Sequence, residues 1–259
     1  MDKGKLVEVG RWRPVIPALD TDELAEALDW VDGLSRPGPR IFKVGSQLFT
    51  RIGPRAVEEI RARGCGVFLD LKFHDIPNTV ARAARAAVRM GVTMFNVHAM
   101  GGKGMIRAAV EASMDEAHRA GLSCPAVLAV TVLTSLEEDD LEELGVGGDV
   151  MGLVERLARA ATQAGVHGLV ASAKEVANLR DKLGPGVVLV TPGIRLGPRE
   201  PGDDQRRVAE PRWAMEQGAD FLVMGRGLME ARDPKALLRE IEELWWPRGA
   251  NNEQGPHGR

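Results

Sequence analysis

The segment GVFLDLKFHDIPNTVARAARAAVRMGVTMFNVH, residues 66–98, reads as strand, helix and strand in one stroke. Residues 67–71 form an apolar run broken by Asp70, and residues 94–97 form a second. Between them, residues 79–90 carry apolar side chains at helical spacing, and Gly91 follows where a left-handed cap is expected. Strands that are apolar almost throughout, rather than alternating, are covered on both faces, as in parallel sheets.

The same beat runs outward in both directions. Further short apolar runs occupy residues 15–19, 41–44, 126–130, 168–171, 187–190 and 221–224, making eight in all. Amphipathic stretches fill the intervals at 21–34, 54–63, 103–120, 150–164, 173–183 and 211–217, with 234–244 after the last run. Asp20-Thr21-Asp22 and Asp233-Pro234 look like helix starts, and Gly64, Gly121, Gly165, Gly184 and Gly218 like helix ends. Eight unbroken units predict an α/β chain forming a single (β/α)8 TIM barrel over residues 14–246, in preference to an open doubly wound sheet. Residues 1–13 read as an N-terminal extension and 247–259 as a disordered tail.

Composition narrows the partners. The 34 basic and 37 acidic side chains nearly cancel, so no overall field favours nucleic acid or an anionic membrane. No apolar stretch approaches the roughly 20 residues of a membrane helix, and the charged start lacks a signal-peptide core. A cytoplasmic protein with a small-molecule partner is expected. Cys65 and Cys124 lack CxxC spacing and fit reduced, buried thiols.

In such a barrel, chemistry sits where strands end. Those ends are unusually polar here: Asp20, Lys43, Asp70 with Lys72, Asn96 with His98, Thr131 with Thr134, Ser172, residues 191–195, and Gly225-Arg226. Asp70 and Lys72 are two apart, which in a regular pleat puts both on one face, and Asp75 follows three later. Alone, the trio is equally a salt bridge closing the rim. Lys43, at the end of the neighbouring strand, favours an alternating array of two lysines and two aspartates. A lysine among carboxylates serves as an acid, whereas a Schiff-base lysine needs a depressed pKa.

Residues 223–227 (VMGRG) resemble a phosphate site after strand eight, with glycine-opened backbone and the Arg226 fork. Pro192 and Arg195 in TPGIR, residues 191–195, add a second glycine turn and a second arginine. Together they specify a dianion. Residues 192–207 are rich in glycine, proline and charge, and read as a lid. Residues 136–148 form an acidic loop in which Leu141, Leu144 and Val146 allow a short cover helix. His98 has no second histidine or acid at ligand spacing and reads as a rim residue, so no metal site is expected. His74 fits a loop or dimer contact as well as chemistry. Trp245 and Trp246 are expected to cap the barrel's base, and GGKG at 101–104 to be a strand-to-helix turn.

The run DLKFHDIPNT, residues 70–79, resembles the signature of the orotidine 5′-monophosphate decarboxylases. Ala18-Leu19-Asp20, Lys43-Val44-Gly45, Asn96-Val97-His98-Ala99, residues 131–135, TPGIR, Asp204-Gln205-Arg206-Arg207 and Gly225-Arg226 follow in that family's order, over residues 14–244. The resemblance implies a homodimeric barrel using neither metal nor organic cofactor, which converts orotidine 5′-monophosphate to UMP and CO2 in pyrimidine biosynthesis. It implies that Lys72 is the proton donor, Asp70 sits beside the departing carboxylate, Lys43 holds the network and contacts the ribose, and Asp20 binds a ribose hydroxyl. Asp75, Ile76 and Thr79 would complete the neighbouring subunit's site. Thr134 and Ser135 would face the ribose and pyrimidine, while Pro192, Arg195, Gln205, Gly225 and Arg226 would serve the phosphate and lid. Hexulose-phosphate synthases and keto-gulonate phosphate decarboxylases share an Asp-x-Lys-x-x-Asp core but use Mg²⁺, and they match residues 76–79 and 133–135 less well. A catalytically idle barrel would have lost one of the four central charges.

Overall fold

The computed structural model describes residues 12–35, 40–195 and 209–245. Residues 1–11, Gln205 with most of the expected lid, Trp246 and the tail at 247–259 lie outside them. Eight parallel strands alternate with helices: β1 (Val15–Pro17), α1 (Leu24–Leu34), β2 (Ile41–Gly45), α2 (Ser46–Ile52), α3 (Pro54–Ala62), β3 (Gly66–Phe73), α4 (Pro77–Met90), β4 (Met94–His98) and α5 (Gly102–Ala120). Then follow β5 (Ala126–Val130), α6 (Glu138–Glu143), α7 (Val150–Gln163), β6 (Gly168–Val170), α8 (Ala173–Leu183), β7 (Val188–Thr191), α9 (Pro211–Glu216), β8 (Phe221–Met224), α10 (Arg226–Met229) and α11 (Pro234–Trp245).

The sheet order, β1-β8-β7-β6-β5-β4-β3-β2, leaves β1 and β2 to meet. They do so through one parallel bridge, Ala18 to Lys43, with the Leu19 N–H donating to the Lys43 carbonyl at 2.9 Å. The ring is therefore closed, as a (β/α)8 TIM barrel, and its seam lies at the mouth.

Alternation within each strand builds two apolar layers. One side chain set, including Val15, Phe42, Leu69 and Phe95, is buried against the helices. The other, including Ile16, Ile41, Phe68, Met94, Leu128 and Phe221, fills the barrel interior with Trp12 beneath it. The packed unit thus includes Trp12, inside the stretch read as an extension. On β2, β3 and β4 the inward positions change from apolar to polar at the next step up: Ile41 to Lys43, Phe68 to Asp70, Met94 to Asn96. The charges consequently stand on an apolar floor, where water is excluded from below.

Four local expectations need revision. Helix α1 starts at Leu24, because Asp20 and Asp22 are committed elsewhere: Asp20 accepts from Lys43, and Asp22 accepts from Gln47. Helix α2 begins immediately after β2, with no punctuation other than Gly45 at its N-cap. The cover helix exists as α6, where Leu141 is buried, but Leu144 is exposed. In the GGKG stretch only Gly101 belongs to the strand-to-helix turn, the 3-10 turn Ala99–Gly101, and the other three residues open α5 at Gly102.

Beneath the floor, Arg40 is fully buried. Its guanidinium donates to the Leu34 and Val15 carbonyls and to the Glu242 carboxylate on α11. Among the described residues no helix is long and apolar enough to cross a membrane. Both cysteines are free and buried.

Candidate active site

A cavity of about 600 Å³ opens at the C-terminal ends of the strands. Asp20, Lys43, Asp70 and Lys72 line one side of it. Lys43 Nζ lies 3.0 Å from Asp20 Oδ1 and 3.6 Å from Asp70 Oδ2, and Lys72 Nζ lies 2.8 Å from Asp70 Oδ1. Charges of opposite sign thus alternate as expected, but the fourth member within one chain is Asp20 rather than Asp75. Exposure of the Asp70 and Lys43 side chains is 14% and 12%, against 38% for Lys72, so Lys72 presents the more accessible of the two ammoniums.

Asp70 and Lys72 meet, but not across a regular pleat. Pairing of β3 with β4 shifts register between Leu69 and Phe73, and Lys72 sits at φ +48°, alone among described non-glycine residues in having a positive φ. A lysine in that left-handed region is disfavoured by about 1 kcal/mol or more. A buried amide holds it there: Asn96 Oδ1 accepts from the Lys72 N–H at 2.8 Å, and Asn96 Nδ2 donates to Asp70 Oδ1 at 2.7 Å.

Burial opposes the charge on Lys43, but Asp70 and Asp20 outweigh it and hold the ammonium's pKa above its ordinary value. Burial likewise opposes the Asp70 carboxylate. The charges of Lys43 and Lys72, then hydrogen bonds from Lys72 and Asn96, prevail and hold its pKa below the usual carboxylate value. Gly45 makes the crossing possible, since a Cβ there would fall 2.9 Å from Lys43 Nζ and 3.4 Å from Asp20 Oδ1.

Next to Asp20 the cavity wall continues with Gly225, Arg226 and Gly227 after β8, the neighbour of β1, and then with Pro192, Gly193, Ile194 and Arg195 after β7. Gly193 has φ +75°, and a Cβ on Gly227 would touch Arg195 Cγ at 3.5 Å, so the two arginine-bearing loops pack directly together. The stem of the expected lid is pinched shut: Arg195 N–H donates to the Ala209 carbonyl and Ala209 N–H to the Gly193 carbonyl, each at 3.0 Å. Thr134 and Ser172 also line the cavity, with Val130, Val170 and Val223 as apolar wall.

Several expected residues are not brought there within one chain. Asp75, Ile76 and Thr79 are exposed, with Ile76 at 67%, and Asp75 Oδ1 accepts from its own neighbour's Ile76 N–H. Ser135 is exposed and outside the lining, and Gln205 lies outside the described residues. Gln47, which lines the cavity from α2, went unnoticed in the sequence, as did the bridging part of Asn96. His98 does have a histidine neighbour: the His74 ring stacks on it at 5.3 Å. Burial, with His74 and Lys72 nearby, lowers the His98 pKa to about 4. No cluster of metal-ligating side chains occurs among the described residues.

Residues 13–241 match the profile of the orotidine 5′-phosphate decarboxylase / HUMPS family. The orotidine 5′-phosphate decarboxylase of Moorella thermoacetica is 49% identical over 228 residues, covering 88% of this chain and 90% of that protein. That of Syntrophus aciditrophicus is 50% identical over 218 residues, covering 84% and 86%. A crystal structure of orotidine 5′-phosphate decarboxylase from Lactobacillus acidophilus superposes with a TM-score of 0.78 at 37% identity, covering 90% of this chain and 98% of that one. With the profile spanning nearly the whole barrel and relatives this similar, the chain belongs to the orotidine 5′-phosphate decarboxylase / HUMPS family.

Proposed function

We propose that the protein decarboxylates orotidine 5′-monophosphate to UMP and CO2 in pyrimidine biosynthesis, without metal or organic cofactor, and that Lys72 supplies the proton. The observation that carries this is the unbroken Asp20, Lys43, Asp70, Lys72 array, with its links of 3.0, 3.6 and 2.8 Å, in one cavity with two arginine-bearing loops. Loss of CO2 leaves the bonding electron pair on C6 of the pyrimidine. An ammonium already positioned there stabilises that charge as it develops and then donates its proton. Asp70 orients both lysines and stands beside the departing carboxylate. Lys43 Nζ lies between the Asp20 and Asp70 carboxylates, and Lys72 Nζ adds a second ammonium beside Asp70.

The remaining roles follow the shape of the substrate. Asp20 and Thr134 serve the ribose, and Ser135 the pyrimidine side. Arg226, Arg195, Pro192, Gly225 and Gln205 serve the phosphate, which is remote from the breaking bond, so its binding energy is available for orientation and closure. Asp75, Ile76 and Thr79, exposed in the single chain, would enter the site of a second copy, making the active form a homodimer. A cytoplasmic location accords with the two free, buried thiols.

The test is the ultraviolet absorbance loss of orotidine 5′-monophosphate in chelator-treated buffer. Turnover unchanged by EDTA is the expected result. Metal-dependent activity on a sugar phosphate, with none on orotidylate, would overturn the proposal.

A further inference from the structure

We infer that Asn96 is a positioning residue for the reaction: its amide couples the Asp70 carboxylate to the Lys72 backbone and so sets where the proton-donating ammonium stands. The inference rests on the proposed chemistry for what Lys72 does, but the coupling itself is read from the geometry. Asn96 is fully buried on β4, at the same height as Asp70, and uses both ends of its side chain. The Nδ2 group donates to Asp70 Oδ1 at 2.7 Å, and Oδ1 accepts from the Lys72 N–H at 2.8 Å. Asp70 Oδ1 is the same oxygen that receives the Lys72 ammonium. One amide therefore fixes the lysine twice, through its backbone at a register break and through the carboxylate that its side chain meets.

A side chain that merely filled space would be replaceable by an apolar one. An amide here is distinguished because it donates to a carboxylate at all pH values and never competes for a proton. Asn96→Asp keeps the size and an oxygen to accept the Lys72 N–H, but sets two carboxylates in hydrogen-bond contact. Like charges that close cannot both be ionised without cost, so the pair holds a proton to higher pH than Asp70 does alone, against the opposing pull of the Lys43 and Lys72 ammoniums. With a proton between them, the new hydroxyl donates to Asp70 as the amide did. Once that proton leaves on the alkaline side, the coupling is broken.

Asn96→Asp is therefore expected to be most active in acid and to lose kcat as pH rises toward 8, with an alkaline limb absent from the wild type. Asn96→Ala, with neither contact, should lose roughly 10- to 100-fold in kcat at every pH, the scale of one charge-assisted hydrogen bond. UMP affinity, measured by calorimetry, should change little in either variant. Parallel kcat profiles for wild type and Asn96→Asp would overturn the inference, as would an equal loss of UMP binding and kcat. Melting temperatures separate its failure from that of the proposed reaction. If the wild type does not turn over orotidylate, the coupling still predicts that Asn96→Asp becomes less stable relative to wild type from pH 5 to pH 8, and a constant difference would refute it.

Discussion

Lys43 and Asp20 form their 3.0 Å ion pair across the seam where β1 and β2 close the barrel. The bridge that completes the ring and the first link of the charge array thus share one residue, Lys43. Closure of the fold and assembly of the site are a single event on this side of the molecule.

Gly45 tests how finely that link is set. Its φ of −90° suits alanine, so the backbone imposes no strain, but a Cβ would stand 2.9 Å from Lys43 Nζ. A free lysine end would move aside, whereas this one is held by two carboxylates. Gly45→Ala is expected to reduce kcat by about 100-fold, the effect of a displacement near 1 Å, while the melting temperature stays within a few degrees. Wild-type kcat in that variant would show that the ammonium tolerates displacement.

Complementation tests the shared site. Lys72→Ala and Asp75→Ala should each lose several orders of magnitude in kcat while still binding UMP. If Asp75 serves the other subunit, a mixed dimer has one intact site and one doubly damaged. Refolding the two variants together gives about half mixed dimers, so roughly a quarter of all sites recover by two-fold symmetry. Activity no greater than the sum of the separate variants, after verified exchange, would place Asp75 in its own chain's site.

Arg226 tests the loop after β8. Arg226→Ala should weaken kcat/KM for orotidylate by about 2–4 kcal/mol, the scale of a desolvated charge-assisted contact, and hardly alter turnover of the phosphate-free nucleoside. Equal damage to both substrates would make Arg226 structural.

His98 gives a pH dependence of stability. Its Nδ1 accepts from the Met100 N–H at 3.3 Å, which requires the unprotonated form. Burial, then His74 and Lys72, lowers the folded pKa to about 4, against about 6.5 in the unfolded chain. Between these values the unfolded state binds more protons, so stability falls as pH drops from 6.5 toward 4. His98→Asn preserves a capping acceptor without a titration, and its melting temperature should fall less over that range. Identical slopes for the two proteins would place the acid loss elsewhere.

Much of this was legible because it is periodic. Apolar runs and helical spacing locate all eight strands, and the barrel rule then sends Lys43, Asp70 and Lys72 to one rim. Other features depend on distance across the fold. Nothing in the spacing separates Asp20 from Asp75 as the fourth charge, because the seam between β1 and β2 brings Asp20 in and the chain direction after β3 carries Asp75 out. The register break at Lys72 is hidden too, since its sequence, DLKF, is an unremarkable strand. Asn96 looked like one polar strand end among many, and the stacking of His98 on His74 joins neighbouring strand ends that no ligand-spacing rule connects.

Arg40 carries a consequence for biosynthesis. Its carboxylate partner, Glu242, is translated 202 residues later, and β1 finds its main neighbour only in β8. Until then the nascent chain holds a guanidinium that burial would leave without a counter-charge, at a cost of several kcal/mol, and an open sheet edge. Helices and strands can form as they emerge, but the ring cannot shut. A ribosome stalled before β8 therefore displays an unclosed barrel, with an edge strand available to chaperones and to other nascent chains.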